Sequence, residues 1–164
     1  MSSGSQLPKR TRMQQNKPLL IGVGQDFRGD DAMGLLLVRK LKPILSSVWD
    51  LVESNGDGTL LMELWKDREC VYIIDAVSGP KEPGELYHFS AHESIPPADW
   101  FRTSTHHWGI AEAIEMSRVL QTLPKALFFW GIEGRIFTHS DELSPEVNAA
   151  MEELEVLLLQ HAQL

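Results

Sequence analysis

The chain is predicted to fold as an α/β three-layer sandwich around a mainly parallel five-stranded sheet with one antiparallel strand. Three observations predict it. Continuously apolar runs alternate with stretches of helical period, which is the pattern of a parallel sheet covered on both faces. Turn-forming residues end these runs, as in Ser54-Asn55-Gly56-Asp57-Gly58. One link, after Val77, is too short for the dozen or more residues of a parallel crossover, so the strand beyond it must reverse direction.

Residues 19–24 are the first predicted strand, apolar throughout and therefore buried on both faces. A helix follows, with Asp30 expected as its N-cap. Met33, Leu36, Leu37, Val38 and Leu41 make its apolar face, and Pro43 is expected to stop it. Residues 48–52 are the second strand. Thr59 opens a short helix carrying Leu60, Leu61, Met62, Leu64 and Trp65. Residues 70–77 form the third strand, interrupted only by Asp75, and residues 85–90 the fourth, antiparallel one. A long loop with Pro96 and Pro97 leads to a helix over about residues 107–120, bearing Ile110, Ala113, Ile114 and Val119. Residues 127–132 are the last strand. Ser144-Pro145 then opens the C-terminal helix by the pairing of an N-cap serine with an N1 proline.

At 164 residues the chain suits one well-formed core. Residues 17–164 are read as a single domain and residues 1–16, polar with Lys9, Arg10 and Arg12, as a flexible tail. Met13 lies close enough to the first strand to be the natural start. A formal net charge of -8 with no basic run in the body of the chain argues against a nucleic-acid surface. No apolar stretch approaches the ~18 residues of a membrane span. One cysteine, Cys70, cannot build a disulfide framework and points to a reducing compartment, so a cytoplasmic monomer is expected.

In an open α/β sheet, ligands bind beyond the carboxyl ends of the strands. Asp31 follows the first strand, Asp75 ends the third, and His106 precedes the helix after the fourth. Two carboxylates and one imidazole suit a borderline divalent ion and leave positions open for water or substrate. Each has a plain alternative. Asp31 in a first helical turn complements the helix dipole. Asp75 is harder to dismiss, because an acid within an apolar strand is expensive to bury alone. His106 and His107 are equivalent on composition, and only one can readily face the site, because neighbouring side chains diverge on a helix or a strand. Glu133 ends the last strand near the same rim. No His-Glu-x-x-His motif is present, and Cys70, at the start of its strand, lies on the wrong side of the sheet for a nucleophile.

Gly22-Val23-Gly24-Gln25-Asp26-Phe27-Arg28-Gly29-Asp30-Asp31-Ala32-Met33-Gly34 resembles the glycine-bearing loop of the hydrogenase maturation proteases, which process nickel-iron hydrogenase large subunits. Four further segments match in order. Gly58-Thr59 resembles the family's glycine-threonine turn, and Tyr72-Ile73-Ile74-Asp75 its strand ending in aspartate. Ser104-Thr105-His106-His107 resembles the histidine segment, and Trp130-Gly131-Ile132-Glu133 the last strand. The family's metal-contacting positions carry over to Asp31, Asp75 and His106, which selects Asp31 over Asp30 and His106 over His107. Gly24, Gln25, Asp57, Gly58, Thr59, His107 and Glu133 are further substrate-binding candidates. Gln25 stands where the family usually has Asn, and Ala32 where Gly is common.

The resemblance implies an endopeptidase that cuts a C-terminal extension from the large-subunit precursor once nickel is installed. Asp31, Asp75 and His106 would be its catalytic and metal-contacting residues. The nickel is expected to arrive with the substrate, and no tightly held intrinsic metal is expected. Two rivals remain. A phosphoacceptor receiver domain also places an acid pair after its first strand and an aspartate on its third. A metal-binding maturation chaperone would share the ligands and never cut.

Overall fold

The computed structural model describes residues 17–101 and 108–162. The five strands are β1 (Leu19–Val23), β2 (Asp50–Ser54), β3 (Cys70–Val77), β4 (Leu86–Ser90) and β5 (Ala126–Glu133). Four α-helices accompany them: α1 (Met33–Leu45), α2 (Gly58–Trp65), α3 (Ile110–Val119) and α4 (Pro145–His161). The sheet order is β2-β1-β3-β5-β4. All neighbours are parallel except β4 and β5, which are antiparallel. The predicted architecture is the observed one.

Alternation along the buried strands divides the core in two. Leu20, Tyr72, Ile74 and Ile132 face α1 and α4, where they meet Leu37, Leu41, Val147 and Leu154. Ile21, Val71, Ile73 and Phe129 face α2 and α3, where they meet Leu61, Trp65, Ile110 and Ile114. Glycines let α1 lie directly on the sheet. A Cβ on Gly22 would sit 2.1 Å from the Gly34 carbonyl oxygen, and one on Gly34 2.4 Å from that of Val23. This close seat brings the start of α1 against the carboxyl ends of β1 and β3.

Several boundaries differ from the sequence reading, each for a local reason. Asp30 is not a helix cap: it lies inside a 3-10 turn, Gly29–Ala32, and α1 begins only at Met33, after Ala32. Pro43 does not stop α1, which continues to Leu45. The proline falls in the last turn, where the carbonyl it orphans belongs to exposed Arg39 and water can satisfy it, while Leu45 is fully buried and holds the turn down. β2 starts two residues late, at Asp50, because the ladder begins where the Asp50 N–H meets the Pro18 carbonyl at 2.9 Å. Trp49 is drawn into the core instead, stacked on Tyr72 at 5.1 Å. β4 runs opposite to β3, as expected, yet its hydrogen-bonded neighbour is β5. The helix expected from residue 107 begins at Ile110, and residues 102–107 lie outside the described residues.

Candidate active site

The loop between β1 and α1 carries both aspartates, and the structure gives them separate tasks. The Asp30 carboxylate is fully buried and accepts hydrogen bonds from the β5–α4 connection. Its Oδ2 receives the N–H groups of Arg135 (2.8 Å) and Ile136 (2.9 Å), and its Oδ1 that of Ser144 (2.7 Å). The Ser144 hydroxyl donates to both oxygens, at 3.0 and 2.9 Å. Ser144 therefore occupies the N-cap position of α4 without capping it through its side chain. The charge of Asp30 is dispersed over fixed backbone dipoles, and the clamp pins the turn that carries Asp31.

Asp31, also fully buried, lies close enough to Asp75, near the end of β3, for its charge to act on that carboxyl. The turn is pressed down on β1, since a Cβ on Gly24 would lie 2.0 Å from the Asp31 carbonyl oxygen. Gly24 thus serves close packing under the site. Asp75 alternates onto the α2/α3 face with Ile73 and Val77, and is 1% exposed. Its Oδ1 finds no hydrogen-bond partner among the described residues. Burial first, and the Asp31 charge second, push the Asp75 carboxyl well above the usual carboxylate range; a hydrogen bond from the Ala76 backbone opposes them. Two acids held this way share either a proton or a cation, because in a medium of low polarity both cannot ionise unrelieved.

Glu133 lies beside this pair on the rim, on the same face, but it is tied elsewhere. Its Oε2 accepts from the Gly79 N–H at 2.8 Å and the Tyr87 hydroxyl at 3.2 Å. Burial raises its carboxyl too, against the pull of these two donors. Asp57 caps α2, its Oδ1 accepting from the N–H groups of Thr59 (2.9 Å) and Leu60 (3.1 Å). The Gly58 N–H donates to the Trp108 carbonyl at 2.9 Å, so the glycine-threonine turn abuts the residue that follows the histidine pair in sequence. Gln25 is half-buried at the mouth of a groove beside the loop. His106 and His107 lie outside the described residues, and among the described residues no group of three or more His, Cys, Asp and Glu is arranged to hold a metal ion. The structure thus brings Asp31 and Asp75 together.

Sequence reasoning missed the Asp30 clamp and the Tyr87 hydroxyl. No local signal marks either, since their partners are 114 and 46 residues away in the chain. The receiver alternative fails on the fold. The sheet ends in an antiparallel strand, and β5 offers Trp130-Gly131-Ile132-Glu133 where such a domain needs a lysine. No described helix is long and apolar enough to cross a membrane.

A family model described as hydrogenase maturation protease matches residues 35–161, a span that begins just past Asp31 and contains Asp75, His106 and Glu133. The hydrogenase 2 maturation protease of Escherichia coli (strain K12) is 30% identical over 139 residues, covering 82% of this chain and 83% of that protein. The solved structure of the hydrogenase-maturating endopeptidase HybD from Escherichia coli superposes with a TM-score of 0.76 at 25% identity, over 90% of this chain and 92% of that one. A [NiFe] hydrogenase maturation protease from Thermococcus kodakarensis superposes with a TM-score of 0.63, also at 25% identity, over 89% and 99%. The fold and these likenesses agree, and the chain belongs to the hydrogenase maturation protease family of endopeptidases.

Proposed function

We propose that this chain removes the C-terminal extension of a nickel-iron hydrogenase large-subunit precursor after nickel insertion, and that Asp31, Asp75 and His106 recognise the nickel that the substrate carries. The observation that supports this most is the buried Asp31–Asp75 pair at the carboxyl edge of the sheet, with one Asp75 oxygen unpartnered among the described residues. A divalent ion balances two carboxylates and a neutral imidazole, and such a donor set fits nickel. Only a metallated precursor would then seat productively, because an empty one leaves two buried acids repelling each other. The nickel serves recognition first and polarises the scissile carbonyl second. Asp30 and Gly24 hold the turn; Asp31 and Asp75 meet the ion.

The test uses purified precursor with and without nickel and follows trimming by intact mass. Asp31→Asn, Asp75→Asn and His106→Gln are expected to abolish trimming while leaving the circular dichroism spectrum unchanged. Normal trimming by all three variants would sink the assignment. Trimming of the nickel-free precursor at the same rate would sink the recognition role. A chaperone that never cuts would leave the precursor mass unchanged with wild-type protein.

A further inference from the structure

Among the described residues other than glycine, Phe27 (φ 63°), Asp67 (φ 60°) and Gln121 (φ 57°) adopt the left-handed backbone conformation. Asp67 and Gln121 directly follow the C-caps of α2 and α3, Lys66 and Leu120, where that conformation ends helices routinely. Phe27 has no such reason. It lies inside the β1–α1 loop, just before the turn that carries Asp31. A bulky side chain is disfavoured at positive φ, because its Cβ crowds the neighbouring carbonyl. The ring is also 63% exposed, so burial in the core does not offset the strain.

The conformation is imposed from both sides. Before Phe27, the Asp26 carboxylate is held by the Arg39 guanidinium at 2.8 and 2.9 Å, and the same guanidinium binds Glu53 of β2 at 2.6 Å. After it, the Ser140 N–H donates to the Phe27 carbonyl and the Gly29 N–H to the Ser140 carbonyl, both at 3.0 Å. Strain of this kind persists only where the surroundings fix the chain, and it gathers at functional sites. The β5–α4 connection also brings up Ile136, 41% exposed. Its N–H is held by the Asp30 carboxylate and its carbonyl accepts the Asp30 N–H at 2.8 Å. A Cβ on Gly29 would stand 3.3 Å from Ile136 Cγ2, so Ile136 lies against the same loop. Two exposed apolar side chains are thus carried on backbone pinned to the Asp31 turn.

We infer that Phe27, with Ile136 beside its loop, is a specificity-determining contact that enters an apolar pocket on the folded surface of the substrate. The inference rests on the protease reading for the substrate's identity, a hydrogenase large-subunit precursor, but the contact can be measured without cleavage. The Asp31 N–H donates to the Arg28 carbonyl at 3.3 Å, so a precursor seated at Asp31 and Asp75 lies over the neighbouring Phe27. A ring held out on fixed backbone loses little freedom when a partner covers it, and it brings a large apolar area to the interface. Aromatic anchors of this sort carry most of the affinity when they fill a pocket on the partner.

The experiment immobilises nickel-loaded precursor and measures binding by biolayer interferometry, trimming by intact mass and Tm by calorimetry. Asparagine tolerates the left-handed conformation, so Phe27→Asn removes the ring and keeps the backbone. It is expected to weaken binding at least tenfold, to raise KM at least tenfold with kcat within threefold, and to leave Tm unchanged or higher. Phe27→Leu, which stays apolar, should bind within threefold of wild type. Val156→Asn changes an equally exposed apolar residue toward the end of α4, the end at which His161 meets Tyr72, and should bind within twofold. Unchanged binding by Phe27→Asn, or equal weakening by Val156→Asn, would overturn the contact. A lower Tm for Phe27→Asn would also overturn it, since the ring would then serve the fold. If binding depends on Phe27 but wild-type protein never trims the precursor, the protease reading fails and the contact stands. If wild-type protein trims and Phe27→Asn trims with the same KM, the contact fails and the protease reading stands.

Discussion

Asp30→Asn isolates the clamp under the site. Asparagine keeps the shape of the side chain but has one acceptor oxygen in place of two. Four donors converge there: the N–H groups of Arg135, Ile136 and Ser144, and the Ser144 hydroxyl. If the amide oxygen stays on Arg135 and Ile136, the amide nitrogen confronts the buried Ser144 N–H. That unpartnered donor costs about 1–3 kcal/mol. The two retained bonds become neutral, losing roughly 1 kcal/mol each relative to bonds to a carboxylate. Removing a buried charge offsets some of this, and a net loss of about 2–4 kcal/mol is expected. For a domain of this size that lowers Tm by about 5–15 °C. Ser144→Ala, which removes only the hydroxyl, should cost about 1 kcal/mol. Urea unfolding followed by tryptophan fluorescence measures both. If Asp30→Asn proves no worse than Ser144→Ala, the carboxylate is not the clamp described here.

The remaining predictions concern charge and close packing. Because burial and Asp31 raise the Asp75 pKa, the native state binds the Asp75 proton more tightly than the unfolded chain does. This group's contribution is therefore most favourable below the usual carboxylate range; it falls as pH rises, and is least favourable above the raised value. Asp75→Asn should consequently raise Tm of the metal-free protein at pH 8, with a smaller gain at pH 5, even though it abolishes trimming. A lower Tm at pH 8 would refute the sign. Gly24→Ala places a methyl group 2.0 Å from the Asp31 carbonyl oxygen, so the turn must shift. A loss of about 1–3 kcal/mol is expected, with trimming reduced tenfold or more; wild-type trimming would show that the close approach is dispensable.

Much of this architecture was legible in the chain because it rests on local pattern. The apolar runs that became β1, β3 and β5 needed no partner to be recognised, since strands buried on both faces read as unbroken hydrophobic sequence. The short link after Val77 forced a reversal of direction, and the reversed strand is there. Asp75 announced itself by the cost of an acid within such a run. Ser144-Pro145 marked the start of α4 by backbone geometry alone.

Other features were decided only when distant segments met. Pro43 reads as a helix stop, yet a buried Leu45 beyond it carries α1 through. Asp30 and Asp31 are adjacent residues of one type, and nothing local tells a clamp from a site acid. Asp30 became the clamp because the β5–α4 connection, more than a hundred residues onward, aims its N–H groups and a serine hydroxyl at its carboxylate. Ser144 gave up its capping bond for the same reason. Sequence alone set which residues could be buried and where chain direction had to change. Tertiary structure decided that Asp30 is the buried acid satisfied by the β5–α4 dipoles, because those donors are delivered from elsewhere in the chain.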